Sequence, residues 1–389
     1  MIQLGIETLL RKPPKDIGER RIGLLCNPAS VDSTLCRVPL RIDAAFPGRL
    51  KALFTPQHGY HAAKQDNMIE SPNTFDADLK IPVFSLYGRH RVPTDQALDM
   101  IDILLVDLQD VGTRVYTFAS TMSLCMEAAR VHGKKVVVLD RPNPVGGEKV
   151  EGNCLDPQYA SFVGRYPIPM RHGLTIGELA LLFNGDYGIG CELDVIPMCG
   201  WSRSMYFRET GLHWVAPSPN LPTPEAALVY PGQVIWEGTN ISEGRGTTLP
   251  FELFGAPFMD PHRLGCLFHR MELPGIILRP AAFEPTWNKW QNRLCHGFQI
   301  HVTDPKAYSP FLTSLRLLSG VRTLWPQDFA YKPPPYEYEF ERLPIDLILG
   351  ARNIREAVEN TMNPNELEAI WKDDLRRFCE ITAKVRLYR

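Results

Sequence analysis

Long apolar runs are missing from this 389-residue chain. Nothing approaches the ~18 consecutive apolar residues of a membrane-spanning helix, so no membrane partner is expected. The opening Met1-Ile2-Gln3-Leu4-Gly5-Ile6-Glu7 lacks the basic region and apolar core of an export signal. Charge of one sign is missing too. A formal net charge of −2 gives no general attraction to nucleic acid or anionic lipid. The nine cysteines are odd in number and irregularly spaced, with no Cys-x-x-Cys pair. That excludes a disulfide framework and points to reduced thiols used in packing. The expected compartment is the cytoplasm.

Several chemical signatures are also lacking. No Gly-x-Gly-x-x-Gly follows the first apolar strand, and no Gly-x4-Gly-Lys-Ser/Thr occurs, so dinucleotide and P-loop binding are disfavoured and no cofactor is expected. No His-Glu-x-x-His or Cys/His set supports a metal; His58 and His61 are read as hydrogen-bonding groups. No Gly-x-Ser-x-Gly elbow supports an esterase serine. Carboxylates remain as the candidate catalysts.

What is present is a globular composition, 44% apolar, with length for about two or three domains. Short apolar runs at Arg21–Cys26, Leu50–Thr55, Pro82–Tyr87, Ile101–Asp107 and Lys134–Asp140 read as buried strands of a mostly parallel sheet. Tyr116–Val131 has helical spacing, which completes a βαβ unit. Thr175-Ile176-Gly177-Glu178 has a capping-box pattern opening a helix to Phe183. Polar clusters follow four strands: Asn27-Pro28, Pro56-Gln57-His58-Gly59, Gln109 to Arg114, and Arg141 to Pro144. In a parallel sheet these carboxyl ends share one edge, where ligands bind.

Pro217, Pro219, Pro222, Pro224 and Pro231 crowd a segment that is expected to be neither continuous helix nor central strand. The boundary between an amino-terminal domain (1–226) and a smaller α+β carboxy-terminal domain (227–389) is placed there. The second part has expected strands at Gly275–Leu278 and Gly297–Val302, then helices after Asp304-Pro305 and Asn363-Pro364, with Asn363 as cap and Glu366 at N3. Lys332-Pro333-Pro334-Pro335-Tyr336 reads as an irregular loop.

Trp236 to Thr248 packs two carboxylates and a guanidinium among three glycines, hydroxyls and an amide, the composition of a binding loop. Closed over the sheet edge, it makes a cleft between domains. The candidate acids are Glu70, Asp110, Asp140, Glu151, Glu237 and Glu243. Glu151 and Glu243 rank higher, each beside a glycine, whereas Asp140 and Arg141 are equally well read as a pair holding a strand end. Arg114, Arg171 and Arg245 can fork onto a carboxylate, and Asn143, Asn220 and Asn240 can read hydroxyls and amides. Acids, arginines and amides together suit an acidic sugar.

The ordered blocks "PQHG", "QDNMIES", "SLYG", "DLQDVGTRVYTF", "LDRPNPVGG", "VEG", "SFVGRYPIPMRHGLTIGELA", "PSPNLPT", "EGTNISEGRGTT" and "PFELFGAPF" resemble the exo-β-N-acetylmuramidase family, NamZ or YbbC-like. The match covers nearly the whole chain and is less distinctive after about Thr303. The resemblance implies a Rossmann-like amino-terminal domain, a smaller carboxy-terminal domain, and a cleft that removes N-acetylmuramic acid from the non-reducing end of peptidoglycan fragments. His58 and His172 fall inside these motifs and join the candidate site. One departure stands out. Where the family has Pro-Glu-His-Gly, with a glutamate proposed as catalytic, this chain has Gln57. Three routes are open: a nearby acid, Glu70 or Asp66, takes over; the sugar's acetamido group attacks and Gln57 orients it; or catalysis is lost and the protein only binds muropeptides.

Overall fold

The computed structural model describes residues 2–14, 17–269, 273–360 and 364–389. The apolar runs form the expected sheet: β1 (Ile22–Leu25), β2 (Leu50–Thr55), β3 (Thr74–Asp76), β4 (Ile81–Ser85), β5 (Ile103–Val106) and β6 (Lys135–Leu139). Beyond a two-stranded antiparallel ribbon of β7 (Glu151–Cys154) and β8 (Pro169–Arg171), β9 (Leu193–Ile196) closes the far edge. The order is β3-β4-β2-β1-β5-β6-β9, parallel except for the edge strand β3. The chain leaves β1 in one direction through β2 and β4, then returns to lay β5 on its other side. That reversal opens a crevice at the carboxyl ends of the central strands.

Successive strand residues face opposite sides. Leu24, Leu53, Ile103, Leu105 and Val137 pack with Ile6 and Leu9 of α1 (Gly5–Arg11) and Val38 and Ile42 of α2 (Val38–Ala45). Leu25, Phe54, Leu104, Val106 and Val138 pack on the other face under α3 (Asp95–Asp99), α4 (Phe118–Val131) and α5 (Ile176–Gly185). Thr175 caps α5 with the expected box: its side chain accepts from Glu178 N, and Glu178 accepts from Thr175 N at 3.0 Å.

The proline-rich segment departs from expectation. Pro224 to Gln233 is a helix, α6, crossing position 227. Pro224 occupies its first turn behind the Thr223 cap, where no donor is needed. Pro231 lies within the last turn, so its missing N–H costs the helix one bond at its end. The carboxy-terminal part adds β10 (Leu253–Ala256), α7 (Pro261–Phe268), β11 (Ile276–Phe283) and β12 (Cys295–Val302), the strands forming an antiparallel sheet in the order β10-β12-β11. The helix expected directly after Asp304-Pro305 begins later, as α8 (Pro310–Leu324). Asp304 instead accepts from Lys306 N and closes a turn. Short helices α9 (Pro344–Leu349) and α10 (Arg352–Glu359) precede α11 (Pro364–Thr382); the Asn363 cap lies outside the described residues. The larger apolar core runs unbroken from the α4 face of the sheet through α6 and α8 to Trp371 and Phe378 of α11. No helix among the described residues is long and apolar enough to cross a membrane.

Candidate functional site

At the end of β2 the chain turns sharply, with His58 and Gly59 both at left-handed φ (75° and 79°). The turn sets Gln57 into a pocket at the strand ends. Its Oε1 accepts from the Thr117 hydroxyl at 2.6 Å, and its Nε2 donates to Glu337 Oε1 at 2.9 Å and to the Tyr87 hydroxyl at 3.1 Å. Tyr87 in turn donates to Glu337 Oε2 at 2.7 Å and accepts from Met68 N at 2.8 Å. Every polar atom of the Gln57 amide is therefore directed. Thr117 arrives from the loop after β5, Tyr87 from the end of β4, and Glu337 from the segment that follows the three consecutive prolines 333–335. Glu337 and Tyr338 both adopt left-handed φ (48° and 67°), a conformation that non-glycine residues hold only when their surroundings impose it. Burial pushes the Glu337 carboxyl above its usual range, against the two hydrogen bonds that favour its charged form.

A second carboxylate faces the same pocket in the opposite setting. Glu237 accepts from Arg245 Nη2 at 2.6 Å and from the Tyr336 hydroxyl at 2.7 Å. Burial alone would raise its pKa; the Arg245 charge and these donors more than reverse that and hold it low. Behind it, Glu243 lies 3.2 Å from Arg245 Nε and 2.7 Å from Lys289 Nζ. Two acids and two bases thus close a buried charge network.

The pocket itself encloses about 40 Å³ between Gln57, Tyr116, Asn220, Glu237, Arg245 and Glu337. That is on the order of one water molecule, far short of a sugar ring. His58 also lines it; its Nδ1 sits 2.6 Å from the Lys64 carbonyl, and burial lowers its pKa to about 4, so it is neutral near neutral pH. Asn220 donates to the Gln65 carbonyl at 2.6 Å, tying the loop after Gln57 to the segment before α6.

Gln57, His58, Asn220, Glu237 and Arg245 are thus brought together, with Glu243 immediately behind. The other sequence candidates lie outside the pocket lining. Glu70 is exposed and outside the pocket. Asp66 lies 3.3 Å from Asn288 Nδ2, and its pKa is raised by burial. Glu151 accepts from Leu312 N at 2.9 Å, capping the first turn of α8, and burial raises its pKa. The Arg114 guanidinium donates to the carbonyls of Asn153, Ile168, Ile348 and Leu349. Arg171 is fully buried and bonds the Val145 carbonyl. Asn143 donates to Leu174 O and accepts from Val145 N; His172 Nδ1 accepts from Leu174 N and its Nε2 lies 3.3 Å from Asp110. Asn240 accepts from Ala330 N and donates to Asp328 O. Glu151, Arg114, Arg171, Asn143, His172 and Asn240 thus bond backbone groups. Asp140 and Arg141 do not form a side-chain ion pair: the Arg141 guanidinium bonds Asp107 at 2.5 Å, while Asp140, raised by burial to about 6, accepts from Thr175, Gly177, Tyr388 and the backbone N–H of Arg141, a bond that does tie the two at the strand end.

Sequence reading passed over Glu337, Tyr336, Tyr87 and Thr117. The one available signal was an acid-rich run, Glu337-Tyr338-Glu339-Phe340-Glu341, directly after an irregular proline segment. Arg91 was also passed over. Its guanidinium lies 4.0 Å from the Tyr338 ring centroid, 4.2 Å from Phe162 and 5.1 Å from Tyr87, close enough to Glu337 to act on its charge. Among the described residues, no group of three His, Cys, Asp or Glu side chains is arranged to hold a metal.

Comparison with known proteins adds three findings. Residues 22–225 match the family model described as exo-beta-N-acetylmuramidase NamZ, N-terminal, and residues 228–388 match its C-terminal counterpart. The chain is 42% identical, over 100% of its length and 91% of the relative's, to the peptidoglycan beta-N-acetylmuramidase NamZ of Bacillus subtilis strain 168. Two crystal structures of DUF1343 family proteins from Bacteroides fragilis are similar over 100% of this chain and 99% of each of theirs. Their TM-scores are 0.89 and 0.78, at 35% and 28% identity.

Proposed function

The chain belongs to the exo-β-N-acetylmuramidase family, and from that premise we propose that it is an exo-acting glycoside hydrolase releasing N-acetylmuramic acid from the non-reducing end of peptidoglycan fragments. The observation that carries this reading is the pocket at the strand ends, where two buried glutamates face one space in opposed settings, Glu237 held low by Arg245 and Glu337 raised by burial. Such a split between two carboxyls is what glycoside hydrolysis uses.

The pocket lies between the amino-terminal part (1–226) and the carboxy-terminal part (227–389), each of which contributes one side. N-acetylmuramic acid differs from N-acetylglucosamine by a lactyl ether ending in a carboxylate. Of the three arginines expected to grip that group, only Arg245 lines the pocket, and its fork is already shared by Glu237 and Glu243. Arg91 lies outside that lining but near enough for its charge to act on Glu337. Its guanidinium lies 4.0–5.1 Å from three ring centres beside Glu337, and no ion pair among the described residues involves it. The reaction is placed in the cytoplasm, on muropeptides already taken up; what supports this is that all nine cysteines are free thiols.

A direct assay is incubation of the purified protein with a disaccharide carrying N-acetylmuramic acid at its non-reducing end. Free N-acetylmuramic acid is expected, with no cleavage inside long glycan strands. Random internal cleavage would contradict the exo reading, and tight binding without turnover over hours would make the protein a muropeptide-binding relative that has lost catalysis.

A further inference from the structure

The pocket side chain at the end of β2 is an amide, Gln57, which has no proton to give to a leaving group, so the proton donor must be another group of the pocket. We propose that Glu337 gives its proton to the departing glycosidic oxygen and that Gln57 is the positioning residue that holds it, an inference that rests on the glycosidase reading above.

Four observations converge. Glu337 lines the pocket and is only 5% exposed, so its carboxyl faces that space and not bulk water. Each of its oxygens accepts a single hydrogen bond, from Gln57 Nε2 and from the Tyr87 hydroxyl, which fixes the plane of the carboxyl and leaves it capacity to carry a proton. Its backbone is left-handed, with Tyr338 likewise, in a loop clamped to the amino-terminal part by that same pair of bonds. Finally, the remaining pocket carboxylate cannot serve as the donor, because both Glu237 oxygens are taken, by Arg245 and by Tyr336, in a setting that keeps it ionised.

Gln57 serves this arrangement better than a glutamate would. Its Oε1 is committed to Thr117, so its Nε2 must face Glu337, and an N–H there holds the acid without competing for its proton. In the reaction the bond between C1 and the leaving oxygen breaks with its electron pair on that oxygen, which takes the Glu337 proton. A water oxygen then bonds C1, and the proton that water releases restores Glu337.

Two glycosides of N-acetylmuramic acid separate the possibilities, one with a nitrophenol leaving group and one with a sugar alcohol leaving group. A general acid matters only for the second. Glu337→Gln is expected to lose roughly 10²–10⁴-fold in kcat on the sugar leaving group, far less on nitrophenol, with the basic limb of the pH profile abolished. Equal losses on both, or a basic limb that persists, would overturn the assignment. Gln57→Glu, which keeps the size and shape of the side chain, supplies a second reading. A carboxyl placed 2.9 Å from Glu337 makes the pair share a proton, so the basic limb should move up by about one pH unit or more; an unmoved limb counts against Glu337. If the wild-type protein turns over neither glycoside, the glycosidase reading itself falls, and the acid assignment falls with it. Turnover with a Glu337→Gln variant indifferent to leaving group removes the acid alone.

Discussion

A guanidinium held among aromatic rings gives up little of its charge, because the ring faces attract it without neutralising it. Arg91 has its guanidinium carbon 4.0–5.1 Å from the ring centres of Tyr338, Phe162 and Tyr87, whereas Arg245 spends its charge on Glu237 and Glu243. Arg91→Met keeps the apolar stem that packs on the rings and removes the cation. The expected outcome is a rise in KM for N-acetylmuramic acid glycosides of about ten- to a hundred-fold, the worth of a charge-assisted hydrogen bond, with N-acetylglucosamine glycosides hardly affected. Steady-state kinetics on the two sugars check it, and equal effects on both would show that Arg91 only braces the loop. At this scale the sequence was partly legible. Gln57, His58, Asn220 and Arg245 stood out because polar residues beside glycine or proline at strand ends have few structural uses. Glu337 did not, because its partner Gln57 lies 280 residues away and nothing local marks that pairing.

Among the elements, α9 shows how a residue chosen for ligand binding can serve the backbone instead. The last carbonyls of a helix need donors, and Arg114 supplies two to Ile348 and Leu349 while bonding Asn153 and Ile168 with its other nitrogen. Gly350 follows at φ 73°, where a Cβ would sit 2.6 Å from Arg114 Nη2, so the helix end and the guanidinium fit only with glycine. Burial brings the Arg114 pKa down to about 10, yet it remains charged at neutral pH. Arg114→Gln should therefore cost roughly 3–5 kcal/mol of stability by stranding buried acceptors, seen as a lower melting temperature, while KM stays near the wild-type value. A large rise in KM without loss of stability would return Arg114 to the binding site. The five parallel strands β1, β2, β4, β5 and β6 were readable in advance because a strand buried on both faces is a continuous apolar run whatever surrounds it. Helix α6 was not, since proline composition says nothing of whether Pro231 falls mid-helix or, as here, within its last turn.

The molecule as a whole has one large apolar core that joins the α4 face of the sheet to α6, α8 and α11. Packing of that extent couples the two parts on either side of the pocket. Calorimetry is expected to give a single cooperative unfolding transition, with Arg114→Gln shifting all of it; two separated transitions would show the parts to be independent. The parallel sheet and its ligand edge were legible from strand spacing, but the assembly of the pocket across the chain was not, because long-range docking leaves no periodic trace. That assembly also sets a schedule. At about 5–20 residues per second of synthesis, the 280 residues between Gln57 and Glu337 take roughly 15–60 s to appear. A growing chain can therefore fold its sheet and expose the cleft long before it owns the carboxyl that completes it, so no fragment cut short of Glu337 can hydrolyse cell-wall material while it is still being made.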